Sequence, residues 1–108
     1  ETPIELPINS ANKSNPINGV NELEALIKQR KKDMPSDSYT ADMLRKNIGR
    51  TAQKIVEEAG ELAIASVQNN KDETISEASD LMYHLLLLLI KADIEPSLVW
   101  EHLRPNES

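Results

Sequence analysis

The chain has 108 residues, a formal net charge of −6, 39% hydrophobic residues and no cysteine. That length supports one domain with a single modest core, and the missing thiols exclude disulfides and thiolate metal sites. The acidic balance argues against nonspecific nucleic-acid binding. The longest apolar run, Leu85 to Ile90, is too short to span a bilayer, so we expect no membrane partner.

Residues 1–19 hold three of the six prolines and four asparagines and read as an arm or linker. No signal-peptide pattern is present, and we expect a cytoplasmic protein. The chain begins with Glu rather than Met, which suggests a cut from something longer. Val20, Leu23, Leu26 and Ile27 set the spacing of a first helix over 20–32. Residues 33–40 (DMPSDSYT) read as a loop, with Thr40 as the helix cap that ends it. Residues 41–69 then read as one long helix, with Leu44, Ile48, Ile55, Ala59 and Leu62 as its buried stripe. Residues 68–71 make a turn, and 72–91 a second long helix. Pro96 opens a short last helix. The expected fold is all-α, a four-helix-type bundle of two long antiparallel helices and two short ones. Leu85 to Ile90 is apolar on every side, which calls for full burial. A bundle this small has trouble enclosing it, so a dimer is expected with this segment near the interface.

Charge is unevenly spread. Between Lys28 and Lys54 eight basic residues face three acids, a balance of +5, and acids dominate from Glu57 onward. Each helical residue advances about 100°, so Lys54, Glu58 and Glu61 share one face. On the next helix Glu73, Glu77, Asp80 and His84 form a second polar row. The short turn makes the two helices antiparallel neighbours and brings Glu58 and Glu61 level with Glu77 and Asp80. Four acids about 6 Å apart, in an effective dielectric near 20, repel by roughly 3 kcal/mol per pair. Lys54 alone cannot neutralise them; a divalent cation can, and the alternative is a solvated acidic face without one. An all-oxygen donor set without cysteine points to Mg²⁺, with Mn²⁺ the alternative, rather than Zn²⁺. Di-iron bundles need two Glu-x-x-His pairs, which this chain lacks. A carboxylate-held Mg²⁺ keeps positions open for water and phosphates, and Lys54 lies one turn away to pair with a phosphate oxygen.

The run KIVEEAGE (54–61), followed fifteen residues later by EASD (77–80), resembles the EExxE…ExxD signature of the all-α nucleoside triphosphate pyrophosphohydrolases of the MazG-type superfamily. Arg30, the SYT motif at 38–40, EASDLMYHLLLLL and the closing IEPSLVWEHLRP narrow the resemblance to the phosphoribosyl-ATP pyrophosphohydrolase family, over residues 20 to about 105. That resemblance implies hydrolysis of phosphoribosyl-ATP to phosphoribosyl-AMP and pyrophosphate with Mg²⁺, in histidine biosynthesis. It implies Glu58, Glu61, Glu77 and Asp80 as catalytic metal ligands. Lys54, Arg30, Ser38, Tyr39, Thr40 and His84 would then lie near substrate, with Tyr83 completing the Tyr-His pair. It also implies a homodimer, and fusion to or partnership with a phosphoribosyl-AMP cyclohydrolase domain. Asn47 and Val56 depart from the small residues this family often carries. Two other readings stay open: a house-cleaning pyrophosphohydrolase of the same fold acting on noncanonical or deoxynucleoside triphosphates, and a non-catalytic helical dimerisation module.

Overall fold

A computed structural model describes residues 16–105. Those residues form five helices and no strand: α1 (Pro16–Asp33), α2 (Tyr39–Arg45), α3 (Ile48–Val67), α4 (Lys71–Lys91) and α5 (Pro96–His102). The all-helical expectation holds, but the helix count changes. The first helix begins at Pro16, four residues before the expected start; residues 1–15 of the expected arm lie outside the described residues. The single long helix expected over 41–69 is two helices. Lys46 and Asn47 are extended, with ψ of 164° and 155°, and Asn47 caps α3 by accepting the Gly49 N–H at 2.7 Å. An asparagine side chain competes well for such a backbone donor. A Cβ at position 49 would sit 2.9 Å from Asn47 Oδ1, so glycine is what lets this cap close. The cap of α2 is Ser38, whose Oγ accepts from Ala41 N–H at 3.0 Å. Thr40, expected to cap, is fully buried and bonds the Tyr83 hydroxyl.

The α3–α4 turn is built from two asparagines. Asn69 takes the left-handed conformation at φ 60°. Asn70 N–H reaches back to Ala65 O at 3.0 Å and Asn69 N–H to Ser66 O at 3.1 Å, the paired bonds that close a helix C-terminus. The Asn70 side chain then caps α4 through Glu73 N–H. Two lysines hold other helix ends: Lys31 Nζ donates to Ile90 O, and Lys91 Nζ to Leu44 O. Cations suit the negative ends of helices.

The core lies between α1, α2 and α4. Leu23, Ile27, Met43, Leu44, Tyr83, Leu86, Leu87 and Ile90 form one buried cluster, with Trp100 of α5 packed on its edge. The apolar run of α4 is thus largely enclosed by its own chain: Leu86, Leu87, Leu89 and Ile90 are buried, and Leu85 and Leu88 half-buried. One copy of the chain therefore already encloses most of this segment. The proposed stripe of α3 is not buried as a whole. Ile55 and Leu62 are half-buried, Ala59 is exposed, and Ile48 is 44% exposed. Among the described residues, α3 carries part of the apolar surface that a single copy leaves open, beside Ile75 and Met82 of α4 and Leu98 of α5. Ala52, Val56, Ala59, Gly60, Ala63 and Val67 are all exposed on α3, and their spacing puts them on one face. Val56, 72% exposed, points to this side rather than into a pocket. Among the described residues no helix is long and apolar enough to cross a membrane.

Candidate metal centre

The antiparallel pairing of α3 and α4 places the two acidic rows against each other. Between them lies a cleft of about 530 Å³ lined by Lys54, Glu57, Glu58, Glu61, Glu73, Glu77 and Asp80 among others. One carboxylate oxygen from each of Glu58, Glu77 and Asp80 falls within 4.8 Å of the other two. The four acids read from the sequence thus all reach one cleft, and three of them converge on one point. Glu61, a turn beyond Glu58, stands at its exposed edge.

Burial makes this convergence chemically demanding. Glu58 is 3% exposed and Glu77 9%. Lys54 Nζ lies 3.6 Å from Glu58 Oε2 and 3.7 Å from Glu57 Oε1, shared between the two acids. Glu77 bears the consequence. The adjoining Glu58 carboxyl, burial and the Glu61 carboxyl push its pKa up to about 8. A proton on Glu77 is the cheapest way to place a second carboxyl beside Glu58. Even so, Glu77 Oε1 is buried and makes no hydrogen bond, an arrangement normally relieved by water or an ion. The donor set, all carboxylate oxygens from two rigid helices, fits a hard divalent cation. The orphaned Glu77 oxygen fits the same ligand.

The remaining expected site residues are placed elsewhere. Arg30, Ser38, Tyr39, Thr40 and His84 do not line the cleft. Ser38 and Thr40 are buried at the start of α2, one as a cap and one bonded to Tyr83. Arg30 is half-buried on α1. His84 is fully buried, and both of its ring nitrogens meet partners within the protein. Its Nδ1 lies 2.9 Å from the main-chain oxygen of Asp80, and its Nε2 lies 3.2 Å from the Tyr39 hydroxyl. A carbonyl oxygen only accepts, so Nδ1 carries a proton. Burial lowers the His84 pKa; the ring is neutral, and Nε2 accepts from Tyr39. Tyr83 and His84 meet edge to face at 5.0 Å, and Tyr39 packs on both rings. The sequence reading placed Glu73 in the second acidic row but not in the site. It lines the cleft, and its carboxyl also raises the Glu77 pKa. Its position four residues before Glu77 was the available signal.

Comparison with known proteins bears on this cleft. Residues 20–106 match the phosphoribosyl-ATP pyrophosphohydrolase family. The chain is 42% identical over 83 residues to a phosphoribosyl-ATP pyrophosphatase of Metallosphaera sedula, covering 77% of this chain and 89% of that protein. A protein of the same name from Granulibacter bethesdensis is 36% identical over 101 residues, 94% of this chain and 63% of its own length. The histidine biosynthesis bifunctional protein HisIE of Buchnera aphidicola is 40% identical over 96 residues, which are 89% of this chain. The match covers 46% of that bifunctional relative.

Proposed function

The chain belongs to the phosphoribosyl-ATP pyrophosphohydrolase family, and we propose from this that it hydrolyses phosphoribosyl-ATP to phosphoribosyl-AMP and pyrophosphate, with Mg²⁺, as a step of histidine biosynthesis. The observation that carries the reading is the convergence of Glu58, Glu77 and Asp80 within 4.8 Å in a cleft that also holds Lys54. Those three carboxylates would hold Mg²⁺, with Glu61 beside them at the open edge of the cleft. Bound there, Mg²⁺ supplies positive charge for the phosphate oxygens and a site at which the attacking water is positioned.

The chain's own residues account for the rest. Lys54 reaches the cleft from one turn below Glu58, where its ammonium pairs with a phosphate oxygen of the substrate. Glu58 and Glu77, held in place by burial, would fix where the cation sits. Glu61, at the open edge, is the best placed group to accept the proton of the attacking water. The acidic lining repels a bare triphosphate, so the cation and the nucleotide enter as partners.

The exposed apolar face of α3 supports a homodimer. It lies roughly 140 to 200° around the helix from Lys54, Glu58 and Glu61, so a second copy would cover it without closing the cleft. The names of the bifunctional relatives support a cyclohydrolase domain as a fused or separate partner.

The test is pyrophosphate release from phosphoribosyl-ATP, with and without Mg²⁺, beside dCTP, dUTP and ATP. Release from phosphoribosyl-ATP alone, and only with Mg²⁺, is the expected result. Release from the free nucleotides instead would move the protein to the house-cleaning pyrophosphohydrolases. No hydrolysis of any of them, with unchanged stability on metal addition, would favour a dimerisation module.

A further inference from the structure

Two consecutive residues of α2 are bonded to two consecutive residues of α4. Tyr39 donates to His84 Nε2 at 3.2 Å, and Thr40 Oγ1 bonds the Tyr83 hydroxyl. The three rings pack against one another, with Tyr83 and His84 centroids 5.0 Å apart and nearly perpendicular. Thr40, Tyr83 and His84 are fully buried. None of these side chains lines the acidic cleft. Yet one bond leads directly to it: His84 Nδ1–H donates at 2.9 Å to the main-chain oxygen of Asp80, and Asp80 offers one of the three convergent carboxylate oxygens.

We propose that His84 and Tyr39 are positioning residues for the cation site: Tyr39 fixes the imidazole's tautomer and orientation, and His84 fixes the peptide that carries Asp80. This rests on the function proposed above. The Asp80 carbonyl already takes part in the helix. A second donor from the imidazole restrains its tilt, and with it the direction in which the Asp80 side chain leaves the helix. The imidazole can supply that donor only if Nδ1 is protonated. Tyr39 holds that tautomer by donating to Nε2, leaving Nδ1 as the nitrogen that carries hydrogen. The Thr40–Tyr83 bond fixes the depth of α2 against α4, so the Tyr39 hydroxyl meets the ring at the right height. A histidine one turn along the helix from an aspartate thereby serves the metal site without touching the metal or the substrate.

The two ring nitrogens can be tested separately in the full chain. Asparagine places an amide N–H near the Nδ1 position, and glutamine places an amide near Nε2. Mg²⁺ binding is measured by isothermal titration calorimetry on the wild type, His84→Asn, His84→Gln and Tyr39→Phe, with melting temperature measured alongside. We expect His84→Gln to weaken Mg²⁺ binding by about tenfold. His84→Asn should stay within about threefold of the wild type, and Tyr39→Phe should fall between the two. Equal loss of stability in both His84 variants with unequal loss of Mg²⁺ affinity is the signature of positioning. Unchanged Mg²⁺ affinity in His84→Gln and Tyr39→Phe, whatever their melting temperatures, would overturn the inference while leaving the metal site standing. If His84→Gln does not fold, Tyr39→Phe alone decides by the same criterion. A wild type that binds no Mg²⁺ would overturn both the inference and the function it rests on.

Discussion

Glu77 is the residue under most electrostatic load. Its pKa is raised from 4.5 to about 8, so between those values the folded chain keeps a proton that the unfolded chain has released. Stability from this group is complete below about pH 4.5 and is lost as pH rises through about 8. The buried His84 acts in the opposite sense, since its lowered pKa costs stability only as pH falls below its ordinary 6.5. Metal-free wild type should therefore lose melting temperature between pH 6.5 and 8, and Glu77→Gln should not. Thermal scans across that range check this; a parallel fall in both proteins would contradict it. Added Mg²⁺ must displace the same proton, so its stabilising shift should grow with pH over that interval. Asp80→Asn and Glu61→Gln should abolish turnover and leave the helical circular dichroism intact. The acids were legible from spacing alone, because a helix repeats at a known angle and a short turn fixes which faces meet. His84 was not. Its place depends on a bond to its own helix and on a tyrosine from α2, and spacing cannot distinguish a cleft-facing histidine from a core one.

At the scale of elements, helix ends decide the geometry. Asn47 stops α2 and α3 from being one rod, and the break lets α2 fold across α4 while α3 runs beside it. Asn47→Ala should cost about 1 kcal/mol, the usual worth of such a cap, read as a lowered urea midpoint with an unchanged slope. An unchanged midpoint would mean that the break is set by packing instead. Residues 41–69 carried helical apolar spacing throughout, and this hid the break. The clue was an asparagine two residues before a glycine, a cap written inside a helical pattern. The other boundaries were readable. Pro96 begins α5, and the Gln68–Lys71 turn lies where its polar run placed it, with Asn69 at positive φ.

At the scale of the molecule, one copy has a small core and a large uncovered face. The apolar run of α4 is enclosed by α1 and α2, while Val56, Ile64 and Val67 of α3 and Ile75 of α4 stay exposed. A sequence identifies apolar residues but not which are covered by the same chain. The expectation of a partner therefore rests on α3 rather than on the apolar run of α4. If two copies meet there, Val56→Glu should convert a dimer into a monomer in sedimentation velocity, since a charge at a buried apolar face is expensive. Glu77-dependent Mg²⁺ binding should survive at least in part, because the acidic cleft is built from α3 and α4 of a single chain. A wild type that sediments as a monomer would remove the dimer and leave the site.

The most direct test of the account is pyrophosphate release from phosphoribosyl-ATP by the wild type and by Glu58→Gln, titrated with Mg²⁺. Glu58 lies at the centre of the convergence, buried between Lys54 and the acids of α4. Release should rise from zero with added Mg²⁺ in the wild type and fall by at least about a hundredfold in Glu58→Gln. Release that is independent of Mg²⁺, or equal in the two proteins, would contradict it.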